Sequence, residues 1–523
     1  MSTSSSLRLS DVLFFWPDGD VVFDKLDAVF PLGTTGLVGN NGAGKSTLLK
    51  LITGELTPQR GSIGTSGVIG YLPQDIALRP GRRVDEILRL RELRESLQRI
   101  EIGEGSEDDF ALAGTGWDAE ERAVALLDKL GLGHIVSRTE DFDNIVGTLS
   151  GGESMLLALT AELVAEPDVL LLDEPTNNLD LQARRRLHQA IAGFTGVAIV
   201  VSHDLDLLDA MDHTAELRAE RVGPTRLRMF GGNYAHYRGV VDAEQEAALA
   251  AVHDAKNDVR KQERELADTR TKLDRRLRYG KKMEDQKREP KIVMGMRKRS
   301  AQVSAGKLRN NHLDKVDDAQ AVLAAAEERL RDDREIRVDL PATEVYAGQR
   351  IVVTDDIEIV GPERIALIGP NGSGKTTLLR TIDAAQPVVP WRYLPQRLDV
   401  FDESRTVAQN VADVAEHATN ERIRAQLARF LFRGADADAV VSTLSGGERL
   451  RAALARILLA EPSPRLLLLD EPTNNLDLAS KKHLTGALSS YRGALVVVSH
   501  DLPFLRDLDP TRWVDLGAEP DAP

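Results

Sequence analysis

Two segments of this chain have the make-up of phosphate cradles. Gly39–Thr47 reads GNNGAGKST and Gly369–Thr377 reads GPNGSGKTT. The glycines at Gly39, Gly42 and Gly44, and at Gly369, Gly372 and Gly374, let backbone N–H groups wrap an anion. Asn40, Asn41 and Ala43 fill the first loop; Pro370, Asn371 and Ser373 fill the second. Lys45 and Lys375 are placed to neutralise β- and γ-phosphate oxygens. Ser46 and Thr376 offer a hydroxyl to Mg²⁺. Thr47 and Thr377 follow as further nucleotide contacts. ATP and Mg²⁺ are therefore the expected ligands.

The partners of that chemistry also occur twice. LLLDEPTNNLD runs over Leu170–Asp180 and Leu467–Asp477. Asp173 and Asp470 end apolar runs, where a carboxylate can hold Mg²⁺ through water. Glu174 and Glu471 follow directly and can orient and polarise an attacking water as general bases. His203 and His500, each in VSHDL, come just after β-type runs and are expected near the γ-phosphate. Gln74 and Gln396, each in YLPQ, are expected to sense Mg²⁺ and water. LSGGE occurs at Leu149–Glu153 and Leu444–Glu448. There Ser150, Gly151 and Gly152, and Ser445, Gly446 and Gly447, open helices whose free N–H groups attract anions.

The elements that must position these groups follow an α/β pattern. Thr35–Val38 and Ile365–Ile368 read as short strands entering the glycine loops, and helices are expected to start at Ser46 and Thr376. Val169–Leu172 and Leu466–Leu469 are apolar at nearly every position, as buried parallel strands are. Gly39 and Gly369 stand 330 positions apart, Gln74 and Gln396 322, Leu149 and Leu444 295. The first copy thus carries 8 extra residues before its glutamine and 27 more before LSGGE. The 27 fall in an acidic, helix-like stretch around Leu88–Asp118, read as a surface insertion or a longer helical subdomain.

Residues 238–335 differ. Val252, Ala255, Val259, Gln262, Leu266, Thr269 and Leu273 alternate steps of three and four, the seam of a coiled coil. Val316, Ala319, Leu323, Ala326 and Leu330 repeat it, with the breakers Gly280, Pro290 and Gly295 between. An antiparallel hairpin is expected, its first helix about 40 residues and about 60 Å long. Its tip is basic. Arg275, Arg276, Arg278, Lys281, Lys282, Lys287, Arg288, Lys291, Arg297, Lys298 and Arg299 face only three acidic residues across 275–299. The window is +8 in a chain of −15, so the other 498 residues carry −23. Such a tip suits RNA phosphate, and Met283, Met294, Met296 and Tyr279 suit irregular surfaces or bases. A solvated charged turn is the plainer reading.

Composition bounds the rest. The 523 residues allow two or three domains, and nothing approaches the ~20 apolar residues of a membrane span. The N-terminus lacks the basic and apolar regions of a signal peptide. The absence of cysteine excludes disulfides and thiolate metal sites and fits a cytoplasmic enzyme.

LSGGE with the motifs around it resembles the signature of ATP-binding-cassette (ABC) ATPases. The resemblance implies that each signature closes on the other domain's phosphate loop, in a monomer. One site would join Lys45, Asp173, Glu174 and His203 to Ser445 and Gly447; the other would join Lys375, Asp470, Glu471 and His500 to Ser150 and Gly152. Trp16 and Tyr346, each 23 residues before the loop, match the adenine-stacking aromatic. The whole chain resembles the ABC-F family: two cassettes, a helical linker, no membrane domain, and Gly231-Gly232-Asn233-Tyr234-x-x-Tyr237 before the linker. The implied architecture is ABC ATPase domains at 1–237 and 336–523 joined by a coiled-coil linker at 238–335. The implied partner is the ribosome, with its rRNA and tRNA, in translation or antibiotic protection. Binding at the exit site would point the tip at the peptidyl-site tRNA and the peptidyl-transferase centre. The alternatives are a transporter motor with a separate membrane partner and a DNA-repair or chromosome-type ATPase. One departure separates the copies: Ser154, Leu156 and Ala161 stand where the second signature helix has Arg449, Arg451 and Arg456. The site using Ser150 is accordingly expected to be the slower one.

Overall fold

The computed structural model describes residues 6–65, 67–74, 81–114, 116–147, 149–177, 179–219, 223–285, 291–329, 336, 340–474 and 476–517. The chain forms two compact units. One runs to Ala235 and resumes at Arg334; the other is His236–Asp333.

The first unit is built on two sheets of the same plan. In the amino-terminal cassette the strand order is Ile69–Leu72, Val169–Asp173, Val197–Val201, Gly33–Val38, His213–Arg218, Arg226–Gly231. All neighbours are parallel except the last pair. In the carboxy-terminal cassette the order is Trp391–Leu394, Leu466–Asp470, Ala494–Val498, Arg364–Ile368, Arg512–Asp515, all parallel. The central strands are buried at every position, which explains their unbroken Val/Leu/Ile runs: helices cover both faces, so no residue is spared for water. Loops at the carboxyl ends of such strands form the ligand crevice.

The copies differ at two places that the spacing marked. The amino-terminal cassette adds a three-stranded antiparallel sheet of Leu7–Phe15, Val21–Phe30 and Arg60–Gly64; among the described residues the other has Arg350–Val353 paired with Glu358–Val360. The 27-residue excess includes helices at Arg91–Glu101 and Glu107–Ala113. Ser106 and Asp109 form a capping box at the second, and Arg99 pairs with Asp109.

The second unit consists of helices at Tyr234–Asp285 and Lys291–Arg329. At 52 residues the first is about 78 Å long, well beyond the 40 residues expected. Gly280 and Gly295 lie inside these helices, not at breaks. A helical glycine costs about 1 kcal/mol, which a long helix absorbs; Pro290 lies outside the described residues. Within this unit Val252, Ala255, Leu266, Val316 and Ala319 are buried, and Lys256 Nζ lies 3.0 Å from Glu327 Oε1.

Candidate active site

Both glycine loops connect a sheet strand to a helix, Lys45–Thr53 or Lys375–Ala384. Gly44 and Gly374 cap these helices at φ 92° and 91°, left-handed values that favour glycine. A Cβ on Gly39 would sit 2.3 Å from the Leu217 carbonyl oxygen, so the loop reaches the sheet only without one. Lys45 Nζ donates to the carbonyls of Gly39 (2.7 Å) and Asn40 (3.2 Å). Lys375 Nζ does the same to Gly369 and Pro370, both at 2.8 Å. The ammonium groups thus hold the loops from inside, and burial lowers the pKa of each lysine.

Asp173 pairs in register with Val201, and Asp470 with Val498, at the strand ends. Asp470 Oδ1 accepts from Thr376 Oγ1 at 3.3 Å, and its Oδ2 from Tyr393 Oη at 3.1 Å. A hydroxyl beside a carboxylate, with the exposed Gln396 on the same cleft wall, is the hard oxygen set that Mg²⁺ takes. Ser46 and Asp173 occupy the matching positions in the first cassette; Gln74 is exposed at the end of its strand.

Glu174 and Glu471 adopt positive φ, 51° and 46°. Their N–H groups donate to Val201 O and Val498 O, both at 2.9 Å. This turn folds each carboxylate under the histidine of the next strand. His203 Nε2 lies 3.1 Å from Glu174 Oε1, and His500 Nε2 3.3 Å from Glu471 Oε1. Neither pair is aligned as a hydrogen bond, so both Oε1 atoms are buried without a partner, as are both histidine Nδ1 atoms. Burial pushes Glu471 up to about 7 and His500 down to about 4. It shifts Glu174 upward and His203 downward for the same reason. Each site therefore offers a neutral imidazole and a carboxyl basic enough to take a proton near neutral pH.

Ser150 and Ser445 have a local role that spacing alone displays: S-x-x-E is a capping box. Ser150 Oγ accepts from Glu153 N at 3.2 Å, and Glu153 Oε2 accepts from Ser150 N at 2.8 Å. Ser445 and Glu448 repeat the pair at 3.4 and 3.0 Å. Ser150 and Gly151 then line one cavity of about 550 Å³ with Asn371, Gly372, Gly374, Lys375, Thr376, Thr377, Gln396, Asp470, Glu471 and His500. The amino-terminal signature thus faces the carboxy-terminal phosphate loop. At the Lys45 site the opposite cassette is present through Asp477, whose Oδ2 accepts from Asn41 N at 3.0 Å. Asp180 mirrors this from Asn371 N at 3.3 Å. Trp16 packs edge-on to Phe14 and keeps 37% of its surface exposed; Tyr346 is 77% exposed and so presents an open ring.

Asp180 and Asp477 were not among the expected site residues, although the motif DEPTNNLD contains them. Lys481 and Arg184, four positions later, carry no motif signal at all. Lys481 Nζ donates across to the His203 carbonyl at 2.8 Å.

The three arginines that distinguish the second signature helix brace it. Arg449 pairs with Glu403 and stacks on Phe401, Arg451 covers Phe432, and Arg456 Nε donates to Asn410 O at 3.2 Å. In the first cassette Leu156 and Ala161 are buried in an apolar core instead. Arg89 pairs with Glu162 on that helix, while Arg94 ties neighbouring segments together, contacting Asp85, Glu120 and Asp143 and lying over Phe142. Arg94→Ala should lower the melting temperature by several degrees, because it leaves the nearly inaccessible Asp85 with one guanidinium fewer; calorimetry reads this directly.

The comparisons with known proteins agree with the geometry. The family model described as ABC transporter matches residues 28–177 and 355–474. The chain is 33% identical to the "Tylosin resistance ATP-binding protein TlrC" of Streptomyces fradiae, over 96% of this chain and 95% of that one. It is 32% identical to "Putative ATP-binding protein YdiF" of Bacillus subtilis over 92% and 75%, and 29% identical to "ABC transporter F family member 5" of Arabidopsis thaliana over 97% and 74%. Among solved structures it is similar to archaeal ribosome recycling factor aABCE1 in complex with ribosomal stalk protein aP1, at TM-score 0.53, 20% identity and coverage of 97% and 87%; that likeness bears on the fold. Among the described residues no helix is long and apolar enough to cross a membrane. Two cassettes on one polypeptide and relatives matched along nearly the whole of this chain make it a member of the ABC-F family of ATP-binding-cassette ATPases.

Proposed function

We propose that this ATPase works on the ribosome in the cytoplasm, as a factor for translation or for protection against a ribosome-directed antibiotic. It would bind the exit site when both nucleotides are in place and direct the His236–Asp333 hairpin at the peptidyl-site tRNA and the peptidyl-transferase centre. The observation that carries this reading is the hairpin between two complete cassettes, in a chain that matches a tylosin-resistance protein over 95% of that protein's length. A 52-residue helix is a lever that nucleotide hydrolysis alone does not require. The hairpin is taken as an antiparallel coiled coil, supported by the buried Val252, Ala255, Leu266, Val316 and Ala319. Arg275, Arg276, Arg278, Tyr279 and Arg299 are exposed, as an RNA-binding tip needs. Lys281, Lys282, Lys291, Arg297 and Lys298 lie on the same two helices, and Lys287 and Arg288 lie outside the described residues.

In each site the lysine and loop amides would hold the ATP phosphates, with Ser46 and Asp173, or Thr376 and Asp470, holding Mg²⁺. The metal would neutralise β/γ-phosphate charge. Glu174 and Glu471 would orient the attacking water and take its proton, while His203 and His500 face the γ-phosphate. The signature serines and glycines would complete the sites, with Trp16 and Tyr346 against adenine. ATP binding would then favour closure of the cassettes and hydrolysis would reopen them.

The test is sedimentation of a Glu174→Gln/Glu471→Gln variant with ATP. It should pellet with ribosomes and block translation in vitro. Recovery with membranes instead would mark a transporter motor, and the ribosomal reading would fall. Reversing charge at Arg297, Lys298 and Arg299 should leave isolated ATPase activity intact and abolish its response to ribosomes.

A further inference from the structure

Lys481 sits four residues after Asp477, in the first turn of the helix Leu478–Ser489. Its side chain is only 15% exposed. One ammonium hydrogen goes to Asp501 Oδ2 and another to the carbonyl of His203 in the opposite cassette. Both acceptors belong to histidine loops: Asp501 directly follows His500, and the other carbonyl is that of His203 itself. Asp501 is also fixed, because its Oδ1 accepts from Phe504 N at 3.0 Å and caps the next helix. One lysine therefore ties the catalytic histidine of one site to the residue beside the catalytic histidine of the other.

The pseudo-equivalent residue in the first cassette is wired differently. Arg184 gives its guanidinium hydrogens to Asp204 (3.2 Å) and Leu179 O (3.2 Å), both in its own cassette. The cross-cassette hydrogen bond to a histidine carbonyl is thus described for Lys481 and not for Arg184.

We propose that Lys481 is a positioning residue for the Lys45 site, supplied in trans, and that it makes hydrolysis there depend on the placement of the carboxy-terminal histidine loop. The physical reason is short leverage. His203 Nε2 is 3.1 Å from Glu174 Oε1, so a shift of the His203 backbone moves the imidazole against the general base. A three-donor ammonium fixed by the anchored Asp501 carboxylate restrains that shift. The hydrogen bond is directional: the Lys45 site is held through it, whereas Arg184 reaches Glu471 and His500 of the Lys375 site by charge alone among the described contacts.

The test separates the two sites with single glutamine variants of the full chain. In a Glu471→Gln background, where only the Lys45 site turns over, Lys481→Met should lower kcat at least about tenfold, since misplacing a catalytic group by an ångström costs on the order of 10². In a Glu174→Gln background the same change should cost less. Lys481→Arg should restore most of the loss, because a guanidinium can span both acceptors. Asp501→Asn, a change in the distant cassette, should slow the Lys45 site in the same direction and add little to Lys481→Met, as expected for one chain of contacts. Equal losses at both sites, or fully additive Asp501 and Lys481 effects, would overturn the proposal. Should Lys481→Met fail to fold, the arginine and asparagine variants decide it alone: unchanged Lys45-site turnover in Asp501→Asn sinks the coupling.

Discussion

Replacing Glu174 and Glu471 together by glutamine should reduce ATP hydrolysis by about 10²–10⁴-fold, the usual contribution of a positioned general base, while ATP still binds. Each carboxylate sits at a strand end in left-handed backbone, with 7% and 8% of its surface exposed. In each, one oxygen is aimed beside a histidine with no hydrogen bond to quench it. Glutamine keeps the shape and volume, so the phosphate loops lose no contact. The lysines, which hold those loops through their own carbonyls, are untouched. A loss of nucleotide binding equal to the loss of turnover would show that the glutamates support the loop instead of the chemistry.

The single variants carry more. The site that uses Ser150 contains Glu471, so Glu471→Gln should retain more activity than Glu174→Gln if the arginine-free signature helix slows its site; equal residual rates would refute this. A pH profile then follows from the carboxyl itself. Burial holds Glu471 at about 7, above its ordinary 4.5. The base form is therefore lost as pH falls below about 7 and is complete above it. In the Glu174→Gln background kcat/KM should rise about tenfold per pH unit on the acid side and level off beyond neutrality. His500, held at about 4, stays neutral across that range and adds no second limb. Glu471→Asp, with a shorter and differently solvated carboxyl, should displace the limb, whereas a limb due to the nucleotide's own phosphate would stay in place.

Legibility in the sequence followed the reach of the interactions. Local, doubled strings located the central strands that enter the glycine loops and carry Asp173 and Asp470, because a buried parallel strand needs an uninterrupted apolar run and a phosphate loop needs its glycines. The length differences marked the amino-terminal sheet and the helical pair at Arg91–Ala113. Misplaced were features decided by long-range packing. Gly280 and Gly295 read as breakers, yet a helix of many turns carries a glycine at modest cost. What the arginines of the second signature helix touch was not legible either: their guanidinium groups meet Glu403, Phe432 and Asn410 O, all outside that helix. Hidden entirely was Lys481. Its partner His203 is 278 residues away, and no periodicity or motif relates a lysine to a carbonyl at such a distance.

Asp477→Asn should separate folding from communication between the cassettes. The carboxylate uses its two oxygens for different tasks. Oδ1 accepts from Ser480 N at 2.8 Å and caps the helix; Oδ2 accepts from Asn41 N in the opposite phosphate loop at 3.0 Å. Burial opposes its charge, but the hydrogen bonds from Ser480 and Asn41 outweigh that and hold its pKa below the ordinary range. Asparagine is as good a helix cap as aspartate, so the fold should persist. It has only one acceptor oxygen, however. With the cap satisfied, its NH₂ faces the Asn41 N–H, donor against donor, in a partly buried place. A hydrogen bond to a charged group, worth about 1.5–3 kcal/mol, is replaced by a repulsion. Asp180→Asn imposes a weaker form of this conflict on Asn371 across the other site, where the bond is longer and exposed. The double variant should keep its melting temperature within a few degrees yet lose cooperativity in ATP, its Hill coefficient falling towards one and its turnover dropping by about 10²-fold if each lost bond contributes in full. A matching collapse in thermal stability would assign these aspartates to capping alone; unchanged cooperativity in a stable protein would mean that the cassettes communicate by another route.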